Sequence, residues 1–150
     1  TVDLTRLVID ALSDARAAGP DHMWQLELPD EAVQVHGDQP RLHQVVANLL
    51  ANARTHTPAG TVVTAALIRG DGWVTIEVRD TGPGIEPALT PTIFERFVRG
   101  DGSRSRAAGS TGLGLAIVTA VVEAHGGRAE VESAPGSTVF RIILPIGEIA

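Results

Sequence analysis

Apolar residues recur every three or four positions in three stretches of the chain, and this spacing predicts three helices that pack through one face. The first stretch covers residues 2–18 and ends at Gly19-Pro20. The second covers residues 41–57 and follows Asp38-Gln39-Pro40, an N-cap candidate with a proline in the first turn. The third is strongly apolar, and Gly126-Gly127 ends it. We expect these helices to pack on a sheet.

Between the helices, apolar and polar residues alternate, which predicts strands. The predicted strands cover residues 24–28, 33–36, 61–69, 73–78, 128–133 and 137–144. Turn residues separate them in pairs, at Pro29-Asp30, Asp71-Gly72 and Pro135-Gly136. We therefore expect the first two strands to form one hairpin and the next two to form another.

Composition narrows the class of protein. The 150 residues, of which 43% are apolar, suffice for one hydrophobic core, so we interpret residues 1–150 as a single domain. The chain contains no cysteine, and no apolar run approaches the ~20 residues of a membrane-spanning helix. A net charge of -6 argues against a nucleic-acid partner, which would need a basic stripe. Because the chain begins at Thr1 without a signal-peptide pattern, we expect a cytoplasmic fragment of a longer protein.

A glycine-rich turn, Asp80-Thr81-Gly82-Pro83-Gly84-Ile85, directly follows the strand that contains residues 73–78. Glycines let the backbone approach a flat ligand, and a carboxylate at the end of a strand can accept a hydrogen bond from an exocyclic amine such as that of adenine. The alternative interpretation is a tight turn without a ligand, since aspartate and glycine are common in turns.

Two asparagines, Asn48 and Asn52, lie four residues apart on the second predicted helix, beside its apolar face. Asparagine is a poor helix former, and a buried unpaired amide costs about 1–3 kcal/mol, so both side chains need partners. They could form hydrogen bonds to neighbouring loops. They could also ligate a hard cation such as Mg²⁺, which accepts few protein ligands and keeps phosphate oxygens in its shell.

Residues 99–111 contain almost no apolar side chain and many glycines and serines, so we expect no packed element there. A loop of this length in a compact domain is usually a functional lid or disordered. Its Arg99, Arg104 and Arg106 are suited to closing over phosphates. The helix start at Gly112-Leu113-Gly114-Leu115 is an anion site by geometry, because free backbone amides and the positive end of the helix dipole converge there.

Taken in order, the asparagine helix, the D-x-G-x-G turn, the phenylalanine-containing segment, the G-x-G helix start and the final G-x-T strand resemble the ATP-binding catalytic domain of bacterial sensor histidine kinases. That family belongs to the gyrase, heat-shock-90, histidine-kinase and MutL ATPase superfamily. The resemblance implies a Bergerat-type fold, an α/β two-layer sandwich whose mixed, mostly antiparallel sheet carries helices on one face. It also implies ATP bound between the asparagine helix and a mobile lid at residues 87–111. The lysine-free, arginine-rich sequence is similar to actinobacterial sensors.

The resemblance also implies roles for individual residues. Asp80 would bind the adenine amine with assistance from Thr138, and glycines of the turn would lie beside the ring. Asn48 and Asn52 would be the catalytic pair, the first supporting the phosphates and the second ligating Mg²⁺. The implied nucleotide-binding residues are Asn48, Asn52, His56, Asp80, Gly82, Gly84, Ile85, Arg104, Gly112, Leu113, Gly114, Leu115 and Thr138.

The segment after the second asparagine departs from the family pattern. A basic residue usually stands three positions after the Mg²⁺ asparagine, whereas this chain has Thr55 there, with Arg54 beside it. The next position is often tyrosine and is His56 here, which can donate a hydrogen bond to a phosphate from a protonated ring nitrogen. The basic phosphate contact of the family is therefore not predicted at Thr55.

The histidines give a second departure, because none is followed by the acidic, basic and proline pattern of a phosphoacceptor helix. They are His22, His36, His43, His56 and His125. We expect His22 and His36 to be loop residues without chemistry, and His125 to lie at a helix C-terminus near its dipole. The acceptor histidine is expected outside this chain.

The resemblance then implies partners. The chain would act on its own dimerisation and phosphoacceptor domain, with Phe94 and Phe97 as the docking surface, and a response regulator would follow. The whole protein would be a membrane-anchored homodimer of the bacterial inner membrane, with this chain on the cytoplasmic side.

Three alternative functions stay open. An ATPase of the same superfamily is disfavoured by Asn48, because hydrolysing members usually carry glutamate there as the general base. An anti-sigma serine kinase is disfavoured by the similarity to sensor kinases. A non-catalytic nucleotide-sensing module is favoured by Thr55 alone and disfavoured by Asp80, Asn52 and the glycine-rich helix start.

Overall fold

The computed structural model describes residues 1–82, 110–134 and 136–146, with the backbone alone for residues 110–115, 133 and 134. The predicted lid therefore lies outside the described residues, apart from Ser110 and Thr111. Also outside them are Gly84, Ile85, Phe94, Phe97, Arg99, Arg104 and Arg106.

The described chain contains three helices and seven strands. The helices are α1 (Leu4–Ala18), α2 (Gln39–Thr55) and α3 (Ser110–Ala124). The strands are β1 (Val2–Asp3), β2 (Met23–Glu27), β3 (Gln34–Val35), β4 (Val62–Arg69), β5 (Trp73–Asp80), β6 (Arg128–Ala134) and β7 (Ser137–Pro145).

Aspartate side chains set the start of the first two helices. The Asp3 carboxylate accepts from the Arg6 N–H at 3.1 Å, and the Asp38 carboxylate accepts from the Arg41 N–H at 3.2 Å. Helix α1 thus begins two residues later than its apolar pattern predicts, because Val2 and Asp3 form β1. Helix α3 begins at Ser110, before the glycines that were expected to open it.

Five strands form a sheet in the order β2-β4-β5-β7-β6. Strand β2 runs parallel to β4, and every other neighbouring pair is antiparallel. The hairpin of β4 and β5 is confirmed, with Gly72 at a φ of 75° in its turn. The mixed, mostly antiparallel sheet and its α/β sandwich confirm the predicted fold class.

The hairpin predicted for residues 24–28 and 33–36 is wrong. Strand β2 pairs with β4, and β3 pairs with β1 in a separate two-stranded ribbon. The segment before β3 is held by the start of α1, where the Leu4 N–H donates to the Val33 carbonyl at 2.8 Å. Because a parallel pair needs a long crossover, α2 supplies the connection from β2 to β4.

One face of the sheet is covered by the helices and the other is polar. On β5, Val74, Ile76 and Val78 are buried in the core, whereas Glu77 and Arg79 point away from it. On the polar face Arg141 bonds Glu77 at 2.9 Å. The alternation of β5 therefore directs Asp80 to the helix side, where the core ends.

Within the described residues, no helix is both long and apolar enough to cross a membrane.

Candidate functional site

Asp80 ends β5 with its side chain on the core face, and it is only 7% exposed. Its Oδ1 accepts from the Gly82 N–H at 2.9 Å, so the carboxylate shapes the turn that follows it. Thr138 on β7 lies opposite Asp80 and is 3% exposed. The two residues that were predicted to contact the same base are therefore neighbours across two strands.

Burial raises the pKa of the Asp80 carboxyl above its ordinary value. The Gly82 N–H and the neighbouring His22 and His56 rings act in the opposite direction and lower this pKa. A carboxylate with one oxygen on a backbone amide keeps lone pairs for a further donor. Asp80 is thus a buried hydrogen-bond acceptor. The protein groups around it offset only part of the free-energy cost of desolvating its charged form.

Gly82 occupies a space that no larger residue fits. A Cβ at this position would lie 2.5 Å from Thr57 Cγ2 and 3.0 Å from Asp80 Oδ1. The Gly82 carbonyl accepts from the Gly136 N–H at 3.0 Å, which fastens the turn to the connection between β6 and β7. The turn after Asp80 is therefore held by the end of α2 on one side and by the β6–β7 turn on the other.

Helix α2 places the two predicted asparagines at half-buried positions, one turn apart. They flank a fully buried stripe that fixes the rotation of the helix. The stripe consists of Leu42, Val45, Val46, Leu49, Leu50 and Ala53. Among the described residues no group of three or more His, Cys, Asp or Glu side chains could hold a metal ion. Mg²⁺ at this helix would therefore need amide oxygens and ligand oxygens, which are the donors it prefers.

His56 caps the C-terminus of α2, and its backbone N–H donates to the Asn52 carbonyl at 3.1 Å. Desolvation by the surrounding protein lowers the pKa of its imidazole although part of the side chain is exposed, and the Asp80 carboxylate partly opposes this shift. The neutral ring is therefore favoured, with one nitrogen as donor and the other as acceptor.

Helix α3 contains the whole predicted anion site. Gly112 and Leu113 lie within its first four residues, whose amides have no acceptor inside the helix, and Gly114 and Leu115 follow in the next turn. Helix α3 packs against α2, so the two helices belong to the same layer. The roles of these backbone groups remain predictions, as do those of Gly84, Ile85 and Arg104, which lie outside the described residues.

Two residues at this site were not predicted from the sequence. His22 was expected to be a loop residue without chemistry, yet its Nε2 lies 2.8 Å from Thr57 Oγ1, and its ring acts electrostatically on Asp80. The Thr57 methyl group in turn lies 2.5 Å from where a Cβ of Gly82 would be. Neither residue had a signal in the sequence, because Thr57 was assigned to the second predicted helix and its contact with His22 joins residues 35 positions apart.

His125 makes the predicted contact at a helix C-terminus and a second contact that was not predicted. One ring nitrogen, Nδ1, lies 2.8 Å from the Val121 carbonyl at the end of α3, as expected for a residue near the helix C-terminus. Its Nε2 accepts from the Asp38 N–H at 3.0 Å, at the N-cap of α2. The ring therefore connects two helix ends on the helix layer.

The α/β sandwich and the buried Asp80 carboxylate beside Gly82 are typical of nucleotide-binding α/β ATPase domains. The chain belongs to the family of histidine kinase-, DNA gyrase B- and HSP90-like ATPases, whose family model matches residues 37–148. It therefore belongs to a family of ATP-binding domains.

Curated relatives of the chain are sensor histidine kinases. It is 61% identical over 145 residues to the probable sensor histidine kinase TcrY of Mycobacterium tuberculosis, a match that covers 97% of this chain and 30% of that protein. The chain thus spans under a third of this relative, which is much longer. The predicted resemblance to sensor histidine kinases is confirmed.

Solved structures of mycobacterial kinases share the fold. The mycobacterial sensor histidine kinase MprB matches with a TM-score of 0.84 and 35% identity, over 96% of each chain. The ATP-binding domain of PrrB from Mycobacterium tuberculosis matches with a TM-score of 0.75 and 30% identity, over 98% of this chain and 96% of that one. The predicted similarity to actinobacterial sensors is confirmed as well.

Proposed function

We propose that this chain binds Mg·ATP and donates the γ-phosphoryl group to a histidine on a separate dimerisation and phosphoacceptor domain of a two-component sensor kinase. The observation that carries the proposal is the turn after β5. There a buried Asp80 lies opposite a buried Thr138, and the adjoining Gly82 has no room for a side chain. Such a turn fits a flat base that carries an amine donor.

In this proposal Asp80 accepts a hydrogen bond from the adenine amine, and Thr138 assists from the neighbouring strand. The rigidity of the turn supports this role, because Gly82 is bonded to Asp80 and to Gly136. A preorganised acceptor binds a base without the entropy cost of ordering a loop. Gly84 and Ile85 would complete the base site from the following residues of the turn.

The phosphate end of the ligand would lie along α2 and the start of α3. Asn52 would hold Mg²⁺ through its amide oxygen, while Asn48 and His56 would contact phosphate oxygens. The amides of Gly112 and Leu113, in the open first turn of α3, would donate to the same phosphates, with Gly114 and Leu115 beside them in the next turn. Arg104 would contact the phosphates from a lid at residues 87–111. Bound Mg·ATP supplies the phosphoryl group, and the role of these residues is to hold its oxygens in line with an incoming nucleophile.

Asn48 favours phosphoryl transfer over hydrolysis. An amide cannot take a proton from water, so an asparagine at this position leaves the site without the general base of the hydrolysing relatives. A neutral histidine needs less activation as a nucleophile. An anti-sigma serine kinase and a non-catalytic nucleotide-sensing module are the remaining alternatives, and only Thr55 in place of a basic residue favours the latter.

The proposal extends to the whole protein. Residues 1–150 would form a single catalytic domain on the cytoplasmic side of a membrane-anchored homodimeric sensor in the bacterial inner membrane. Its partners would be its own phosphoacceptor domain, docked at Phe94 and Phe97, and a downstream response regulator. The greater length of TcrY supports the presence of further domains.

A calorimetric titration tests the nucleotide assignment. Mg·ATP and Mg·ADP should bind the chain, Mg·GTP should bind weakly, and binding of ATP should weaken when EDTA removes Mg²⁺. Equal affinity for ATP and GTP would contradict the adenine assignment, and no binding of any nucleotide would contradict the proposed function.

A further inference from the structure

The loop between α1 and β2 carries His22 beside the base end of the proposed nucleotide site, and its backbone is fixed on both sides of this residue. The Asp21 carbonyl accepts from the Gly60 N–H at 2.8 Å, and the Met23 N–H donates to the Thr61 carbonyl at 2.9 Å. These bonds join the loop to the segment between α2 and β4. The Cα of His22 therefore has a fixed position relative to the end of α2.

The imidazole of His22 is also supported from behind. Its ring centroid lies 5.8 Å from that of Trp24, with the ring planes inclined by 39°. Trp24 is itself fixed, because its Nε1–H donates to the Gly19 carbonyl at 2.7 Å. The Trp24 ring thus limits the orientations that the His22 side chain can adopt.

The contact of His22 with Thr57 fixes a tautomer and a rotamer together. The Thr57 hydroxyl donates its one hydrogen to the Ala53 carbonyl at 2.6 Å, so its oxygen can only accept from His22 Nε2 at 2.8 Å. The Thr57 carbonyl, 3.3 Å from the same nitrogen, is a second acceptor. His22 therefore carries a proton on Nε2, and Thr57 is held by one bond on each side of its hydroxyl.

This rotamer turns the Thr57 methyl group towards the turn after β5. Cγ2 lies only 2.5 Å from where a Gly82 Cβ would be, so the methyl group abuts the Gly82 backbone. Gly82 in turn donates its N–H to Asp80 Oδ1 at 2.9 Å. A continuous series of contacts thus leads from the His22 ring through Thr57 and Gly82 to the buried carboxylate.

The contact with Thr57 uses only one ring nitrogen of His22. The other nitrogen, Nδ1, is buried, and the described part of the chain offers it no hydrogen-bond partner. The hydrogen bonds of the His22 ring in the described residues are therefore all directed at Thr57 through Nε2.

We propose that His22 is a positioning residue for the adenine subsite, which acts through Thr57 by holding the methyl group that supports the Gly82 turn and thereby the Asp80 acceptor. This inference rests on the proposed function, because it takes the Asp80 turn as the base site. Thr57 forms the wall of that subsite on the α2 side, and His22 fixes the wall from outside.

A double-mutant cycle on the 150-residue chain tests this assignment. ADP is the probe, because it carries the base without the γ-phosphate, and its Kd is measured calorimetrically well below the melting temperature of each variant. His22→Ala should weaken ADP binding by about 3- to 10-fold, as expected for loss of one hydrogen bond. Thr57→Val, which keeps the shape and loses the hydroxyl, should weaken it similarly. The double variant should be no weaker than Thr57→Val alone, since both changes interrupt one series of contacts.

Two further variants separate positioning from folding. His22→Gln retains an N–H donor and should recover most of the affinity, whereas His36→Ala, at an exposed loop histidine, should bind ADP like the parent. Unchanged ADP affinity in His22→Ala, or additive losses in the double variant, would overturn the inference. If His22→Ala does not fold, weak binding by His22→Gln or normal binding by Thr57→Val would overturn it. Absence of ADP binding by the parent chain would instead overturn the proposed function itself.

Discussion

Asp80 and Thr138 lie opposite each other in the antiparallel pairing of β5 with β7, and both are almost completely buried, with exposures of 7% and 3%. Buried polar residues are usually fully paired inside a protein. At this position Asp80 is bonded to its own turn, and desolvation still raises the pKa of its carboxyl. The Asp80 carboxylate is thus placed where a ligand with a hydrogen-bond donor would offset the cost of its burial.

Asp80→Asn should weaken the binding of ATP and ADP to the same extent. The substitution keeps the shape of the side chain but replaces a charged acceptor, and a hydrogen bond to a charged group contributes about 1.5–3 kcal/mol. The loss should therefore be at least about 10-fold for both nucleotides. Kd values from calorimetry measure it, and a loss restricted to ATP would place Asp80 at the phosphates instead of the base.

The same substitution should stabilise the nucleotide-free chain at neutral pH. Because burial raises the pKa of folded Asp80 above its ordinary value of 3.8, the folded state binds this proton more tightly than the unfolded state. The raised pKa adds to the free energy of unfolding. This added stability is fully present below pH 3.8 and is lost as the pH rises through the higher pKa of folded Asp80. A neutral amide avoids that loss.

Melting temperatures of the parent and of Asp80→Asn between pH 3.5 and pH 7 measure this effect. The difference between the two proteins should grow in favour of Asp80→Asn as the pH rises, while all other carboxylates contribute equally to both. A difference that does not change with pH would show that burial does not destabilise the Asp80 carboxylate.

Gly82→Ala should reduce stability and nucleotide affinity together. Its Cβ would lie 2.5 Å from Thr57 Cγ2, so either the turn or the helix end must shift, at a cost of about 1–3 kcal/mol. Thermal melting and ADP titration measure the two losses. Gly70→Ala is the matched control, because the nearest atom to its Cβ would be the Trp73 carbonyl oxygen at 3.6 Å.

A second substitution identifies the atom responsible for the effect of Gly82→Ala. Combining it with Thr57→Ser removes the methyl group and should restore part of the melting temperature. If the double variant is no more stable than Gly82→Ala, the clash with Thr57 is not the cause.

The sequence predicted those features that depend on local patterns. Asp38 and Pro40 marked the start of α2, and the alternation of residues 73–78 predicted the strand that leads directly to Asp80. The pairing of β2 with β4 was not predictable in this way, because strands separated by a whole helix carry no local signal of being neighbours. Adjacency along the chain instead suggested a hairpin of β2 with the residues of β3.

The same limit explains what was missed at the site. The resemblance to the kinase family implied that Asp80, Thr138 and Asn52 belong to one site. The structure places Asp80 and Thr138 opposite each other on the neighbouring strands β5 and β7. His22 belongs to a loop with no motif, and its importance depends on the fold bringing residues 35 positions apart within 2.8 Å. Hydrophobic periodicity describes which face a residue takes and says nothing about its polar partners across elements.

Asn52→Ala should abolish the Mg²⁺ dependence of ATP binding while the fold survives. The residue is half-buried on α2, and alanine favours a helix by several tenths of a kcal/mol over asparagine. Titrations of ATP with and without Mg²⁺ should therefore coincide in this variant, with an unchanged or higher melting temperature. Asn52→Asp keeps an oxygen ligand and should retain the dependence. A collapse in stability with intact Mg²⁺ dependence would instead assign Asn52 a structural role.

The isolated chain should bind Mg·ATP yet show neither self-phosphorylation nor appreciable hydrolysis. Phosphoryl transfer needs an in-line nucleophile close to the γ-phosphate. Positioning of the reactants alone can lower the activation barrier by about 7–11 kcal/mol. None of the five histidines stands in a phosphoacceptor sequence, and Asn48 cannot act as a base towards water. This chain would therefore position the donor alone.

Radiolabel transfer from γ-labelled ATP measures both halves of this prediction. The 150-residue chain should remain unlabelled, and addition of a helical hairpin that carries the acceptor histidine should give an acid-labile phosphohistidine. Transfer should be faster when the hairpin is covalently linked, since linkage raises its effective concentration. Asp80→Asn should slow the labelling at subsaturating ATP and not at saturation, because its proposed contact is with the base. Label on the isolated chain would show that the acceptor is present in it, whereas an unlabelled hairpin beside a chain that binds ATP would favour the non-catalytic module.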